Sequence, residues 1–182
     1  MSKNASAIVV LSLLFTGCAA ATPQPRQYEG PRDQPQAQPQ QPAAPALKLD
    51  LPHGWQQGAP PPGPGSEAIS AMLGNQALGA VILVALYGTQ EVSPKDVAAT
   101  VAAKIKENGT EVSEVTVSAD GKSASFTWRH PANNTTGKMA AQVLAGAPEL
   151  SIMFMGIWPA DSDAAATADF DAIIKSARVK SE

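Results

Sequence analysis

Cysteine is almost missing from this chain: of 182 residues, only Cys18 is one. A lone cysteine excludes intrachain disulfides and cysteine-built zinc sites, so core packing must supply the stability of the folded part. Histidine is nearly as scarce, at His53 and His130, and neither has a second histidine or an acidic cluster at metal-ligand spacing. No Gly-x-Ser-x-Gly elbow, phosphate loop or dinucleotide fingerprint occurs, so neither a catalytic residue, nor a metal, nor a cofactor is expected. Charge is sparse too. Lys, Arg, Asp and Glu make up 16% of the chain, the formal net charge is −3, and the basic residues are not clustered. Nucleic acid is therefore not an expected partner.

What is there begins at the amino end. Lys3 supplies a positive start, and Ile8-Val9-Val10-Leu11-Ser12-Leu13-Leu14-Phe15 an apolar core. That run is short of the roughly 20 apolar residues a spanning helix needs, but it suits a signal peptide. It runs into Leu14-Phe15-Thr16-Gly17-Cys18, which resembles a bacterial lipobox. The resemblance implies acylation of the Cys18 thiol and cleavage before it by signal peptidase II. The thiolate is the nucleophile this chemistry requires. One acyl chain holds a protein marginally, and several, at about 0.8 kcal/mol per buried CH₂, hold it firmly. Ala19 follows the cysteine in place of the Asp that retains such proteins in the inner membrane. By that resemblance the expected location is the outer membrane, facing the periplasm.

Residues 18–46 change character. Pro23, Pro25, Pro31, Pro35, Pro39, Pro42 and Pro45 alternate with a series of glutamines from Gln24 to Gln41. Such a segment buries too little to offset its ordering entropy. Polyproline II spacing, about 3.1 Å per residue, makes it a spacer. Three parts follow: a signal peptide (1–17), a lipidated, disordered tether (18–46) and a globular domain (47–182).

Within the domain, Leu47-Lys48-Leu49-Asp50-Leu51 alternates at period two and predicts a strand ended by Pro52. His53-Gly54-Trp55 reads as a turn, Gly58 to Gly65 as loop, and Ser66 to Leu73 as a strand with Ile69, Ala71 and Leu73 on one face. Val81 to Leu86 is apolar on both parities, the pattern of a strand covered on both faces. Ser93-Pro94-Lys95-Asp96 predicts a capped helix start and Asn108-Gly109 its stop, with Val97, Val101, Ile105, Ala98 and Ala102 as its apolar stripe. Asp120-Gly121 predicts a two-residue hairpin turn that sets Val117 opposite Ala124. Pro131 to Asn134 is another turn. Lys138 to Ala145 and Leu150 to Trp158 predict two more strands, and the segment from Asp161 or Ser162 to about Ser176 a closing helix. The order gives an α+β class with a mostly antiparallel sheet and helices on both faces.

Leu49-x-Leu51-Pro52-x-Gly54-Trp55, taken with Phe170-x-x-Ile173-Ile174-x-Ser176-Ala177-Arg178, resembles the PsbP-like superfamily, including the DcrB-like envelope lipoproteins. Ala177 stands where that family usually carries an aromatic. The resemblance implies an α/β/α sandwich used for binding without a shared catalytic motif.

The candidate partner-binding residues are Met153, Met155 and Ile157, one parity of the last strand, together with Trp55; methionine surfaces adapt to varied partners, and the alternative for the strand residues is core packing, since a strand between two helix layers buries both parities. Asp161, Asp163, Asp169 and Asp171 read as a helix cap and a solvated helix face. The expectation is a non-enzymatic lipoprotein, joined to the membrane by its anchor, that presents a binding domain to a protein partner in the envelope. The alternatives are a carrier of a small apolar ligand and an enzyme, such as a hydrolase using His130 or His53.

Overall fold

The structure is a computed structural model, and it describes residues 47–60, 68–90 and 92–179. The signal peptide, Cys18 and the tether lie outside those residues, as does the whole stretch 61–67, which holds most of the loop read from Gly58 to Gly65 and the start of the strand read from Ser66.

Ten strands and two helices follow one another. They are β1 (Leu47–Lys48), β2 (Trp55–Gly58), β3 (Ala71–Asn75), β4 (Ala80–Gly88), α1 (Pro94–Glu107), β5 (Glu111–Val112), β6 (Thr116–Val117), β7 (Ser123–His130), β8 (Thr135–Leu144), β9 (Ala147–Pro159), α2 (Asp163–Ser176) and β10 (Arg178–Val179). The main sheet has eight strands in the order β2-β3-β4-β9-β8-β7-β5, with β6 also on β7, and every pairing within it is antiparallel. α1 packs on one face and α2 on the other, so the α+β class with helices on both faces holds.

The first helix forms as its local signals dictate. Ser93 Oγ accepts from the Asp96 amide, Pro94 occupies the first helical turn, and Gly109 at φ +74 stands just past the C-cap Asn108; an N-cap of this kind contributes about 1 kcal/mol. Its buried side is Ala98, Ala102 and Ile105, whereas Val97 and Val101 are only partly buried. The stripe is therefore centred on the alanines. Their small side chains let α1 lie close over Phe126, Trp128, Met139, Ala141 and Met155.

The hairpin register is as expected, with Val117 opposite Ala124. The turn itself differs. Asp120 keeps a negative φ, Gly121 alone is left-handed, and the amide of Gly121 donates to the Ser118 carbonyl. A longer loop with its glycine one position later replaces a two-residue turn. Upstream the strand is interrupted at 113–115, where Ser113 Oγ accepts from the Thr127 amide at 3.0 Å.

α2 seals the opposite core. Phe170 meets Phe154 edge-on with centroids 6.4 Å apart and lies 5.7 Å from Trp158. Gly156 makes this approach possible, because a Cβ there would strike Trp158 and Phe170. The two phrases that carry the family resemblance meet in space. Pro52 to Trp55 is a turn closed by the Trp55 amide on the Pro52 carbonyl, with Gly54 at φ +86, and it drops Trp55 into this core. Ser176 Oγ accepts from the Asp50 amide, and Arg178 grips the Asp50 carboxylate with both terminal nitrogens at 3.0 and 3.1 Å. β1 pairs with β10 beside it.

Four strand expectations need correction. The strand read from Leu47 to Leu51 ends at Lys48, because only Leu47 and Lys48 pair with β10, and the strand read from Ser66 to Leu73 begins at Ala71, leaving Ile69 outside it. β2 forms where only a turn was read, because Trp55-Gln56-Gln57-Gly58 has no alternation and is held by pairing with β3. β4 is closed off on one parity only, and there at Ala80, Ile82 and Val84, whereas Val81, Leu83, Ala85 and Leu86 stay partly exposed.

Candidate binding face

An eight-stranded sheet is wider than one helix can cover. Strands lie about 4.8 Å apart and a helix is about 10 Å across. α1 sits over β5, β7 and β8, and α2 over β8 and β9. Each face therefore has a half that its helix leaves uncovered.

On the α1 side that half spans β3, β4 and β9, and it is apolar. Side chains alternate, so Met153, Met155 and Ile157 point to the face opposite Phe154 and Trp158. The pairing registers then assemble two cross-strand rows. One runs Met72, Leu83, Met155, Met139, Phe126. The other runs Gly74, Val81, Ile157, Gly137, Trp128. Ala85 stands opposite Met153 in a third.

Exposure grades along the first row. Met139 is completely buried beneath α1 and Met155 is 7% exposed, whereas Leu83 and Met72 are partly open. Ile157, 36% exposed, is one of two large hydrophobics with that much exposure among the described residues. Three of the four predicted site residues thus share this face. Met72, Val81 and Leu83, which sequence reasoning missed, complete it; the signal was the two-sided apolarity of β4, taken there as two-sided cover.

Trp55 lies elsewhere. It is on the α2 side, 5% exposed, and its Nε1–H donates to Asp169 Oδ2 at 2.8 Å. It is a core residue of this fold. The acidic residues of the closing helix likewise have partners: Asp163 Oδ1 accepts from Trp158 Nε1 at 2.8 Å, and Asp171 pairs with Lys138 at 2.7 Å. Asp163 and Asp169 thus hold indoles and are not merely solvated.

Near one end of the apolar face stands Tyr87, opposite Ser151 on β9. Burial pushes its phenol up to about 12. Ser151 is fully buried, and neither hydroxyl has a partner among the described residues.

The two histidines do not meet. His53 is exposed in the turn before β2, and His130 ends β7. Five strand steps separate β2 from β7, about 24 Å. No group of three or more His, Cys, Asp or Glu able to hold a metal occurs among the described residues.

No family profile matches the chain, and no curated protein matches it. Among solved structures it is similar to the solution structure of cyanobacterial PsbP (CyanoP) from Synechocystis, at 13% identity and a TM-score of 0.48, over 74% of this chain and 86% of that one. It is also similar to LpqN of Mycobacterium tuberculosis, a protein involved in cell envelope biogenesis, at 12% identity and a TM-score of 0.47, over 78% of this chain and 87% of that one.

Proposed function

We propose that this chain is a lipid-anchored protein of the outer membrane that presents its β3–β4–β9 face to an envelope protein. The observation that carries the reading is the apolar half-face at Met72, Val81, Leu83, Met153 and Ile157, which α1 leaves uncovered. The occupant it suits is an amphipathic helix of the partner. α1 itself supplies the precedent, since Ala98, Ala102 and Ile105 already seat a helix on Met139 and Met155 of the same sheet face. A second helix laid beside it would meet the continuation of the same row, and unbranched methionines adjust to such a partner. The face is open on one side, which suits a helix better than a small apolar ligand, for which enclosure is the norm.

Anchoring rests on the lipobox-like Leu14-Phe15-Thr16-Gly17-Cys18 and on the Pro/Gln-rich spacer behind it. The test is processing. Globomycin should make the uncleaved precursor accumulate, and a Cys18→Ala chain should leave the membrane fraction. Normal cleavage under the drug, or membrane retention of the Cys18→Ala chain, contradicts it.

A further inference from the structure

The other uncovered part of the sheet lies on the α2 side, over β5, β7 and the Thr136–Gly137 end of β8, and its chemistry is the opposite of the methionine face. A cavity of about 450 Å³ opens there, lined by side chains that include Glu111, Ser113, Thr127, Arg129, Thr136 and Asp163. The registers lay out its floor. Glu111 faces Arg129, Arg129 faces Thr136, and Thr136 faces Trp158, all on the α2 side. Asp163 and Thr167, from the first turns of α2, form the wall.

Most of the polar atoms here already have partners. Thr136 Oγ1 donates to the Trp128 carbonyl at 2.8 Å, Ser113 Oγ accepts from Thr127 N and donates to the Glu114 carbonyl, and Asp163 Oδ1 accepts from Trp158. Two charges do not. Arg129 and Glu111 are directly opposed on neighbouring strands, yet the side chain of neither has an ion-pair or hydrogen-bond partner among the described residues. Directly opposed residues have Cβ atoms about 5 Å apart. The groove thus offers the Arg129 guanidinium and the Glu111 carboxylate without partners among the described residues, over a floor of hydroxyls, with the Asp163 carboxylate held by neutral donors on the wall.

We propose that this groove binds a small zwitterion of amino-acid to dipeptide size, its carboxylate on Arg129 and its ammonium on Glu111. Charge complementarity favours that class over a neutral polyol, which would leave both charges uncompensated, and over a simple anion, which Glu111 would repel. The planar guanidinium suits a carboxylate bidentately. The site is independent of the methionine face and of anchoring.

The test is calorimetric titration of the full chain, in detergent micelles, with alanyl-alanine, its N-acetylated form, its C-terminal amide, and maltose. Alanyl-alanine should bind, and either blocked form should bind at least tenfold more weakly. Glu111→Gln should weaken alanyl-alanine but not the N-acetylated form; Arg129→Gln should weaken alanyl-alanine but not the amide. Failure of alanyl-alanine to bind the unaltered chain overturns the proposal. So does equal binding of the blocked forms, or competition by maltose. The blocked ligands are titrated into the unaltered protein, so a variant that folds poorly leaves that comparison intact.

Discussion

The indole N–H of Trp55 reaches 2.8 Å to Oδ2 of Asp169, tying the first residue of an edge strand to the middle of the last helix across 114 positions. That bond crosses the core on the α2 side. Trp55→Phe keeps most of the apolar volume but loses a hydrogen bond to a charged acceptor, a cost of about 1.5–3 kcal/mol. Trp55→Ala also opens a cavity, for roughly 3–5 kcal/mol in all. Urea denaturation of the two variants checks the order; equal losses would mean that the bond contributes nothing.

Gly156 should tolerate no side chain. A Cβ there strikes Trp158 and approaches Phe170 at 2.9 Å, so Gly156→Ala must push α2 off the sheet. Overpacking of this kind typically costs about 1–3 kcal/mol. Thermal unfolding is the measurement, and near-UV circular dichroism should report the displaced indole. An unchanged melting temperature would contradict the packing described.

Asp50 gives the closure of the chain ends a pH dependence. The hydrogen bond from Arg178 holds its carboxyl below the usual range, and the charge of Arg178 acts in the same direction. A carboxyl lowered in the fold adds stability that is present above its unfolded value, near pH 4, and disappears as the pH falls through the folded value. The stability difference between the native chain and Arg178→Gln should therefore be constant above about pH 5 and shrink below about pH 4. A difference that persists unchanged at pH 2 would show that another interaction is responsible.

Tyr87 bounds the alkaline side. With its phenol raised by burial to about 12, the neutral form is favoured in the fold. Its contribution is complete below the unfolded value, near 10, and is lost as the pH rises from there to about 12. The chain has two tyrosines, so a Tyr28→Phe variant isolates the signal. Absorbance titration should place the remaining midpoint about two units above that of free tyrosine. A midpoint near 10 would contradict the burial.

Much of this was readable in the sequence where the determinants are local. The α1 cap, its proline and its glycine stop lie within a few residues of one another, and the pairing of Val117 with Ala124 follows from one turn and one alternation. What escaped depends on partners distant in sequence. β2 exists only because β3 pairs with it, and no pattern in Trp55-Gln56-Gln57-Gly58 announces a strand. The same holds at the site. Parity alone put Met153, Met155 and Ile157 on one face, but which part of that face α1 covers is set by the β8–β9–β4 registers. Trp55 reads from sequence as a turn residue and a candidate for binding; its Asp169 partner, far along the chain, holds it in the core. The acids of α2 were legible as polar, not as indole acceptors.

The central claim is that the uncovered β3–β4–β9 face meets a partner. Site-specific photo-crosslinking in intact envelopes tests it most directly, with the reactive residue placed at Met153, at Leu83 or, on the far side of the molecule, at Lys175, which is exposed. The account predicts one discrete crosslinked species from Met153 and from Leu83, lost when Ile157→Asp is introduced, and none from Lys175. The same species from all three positions, or one that survives Ile157→Asp, would contradict it.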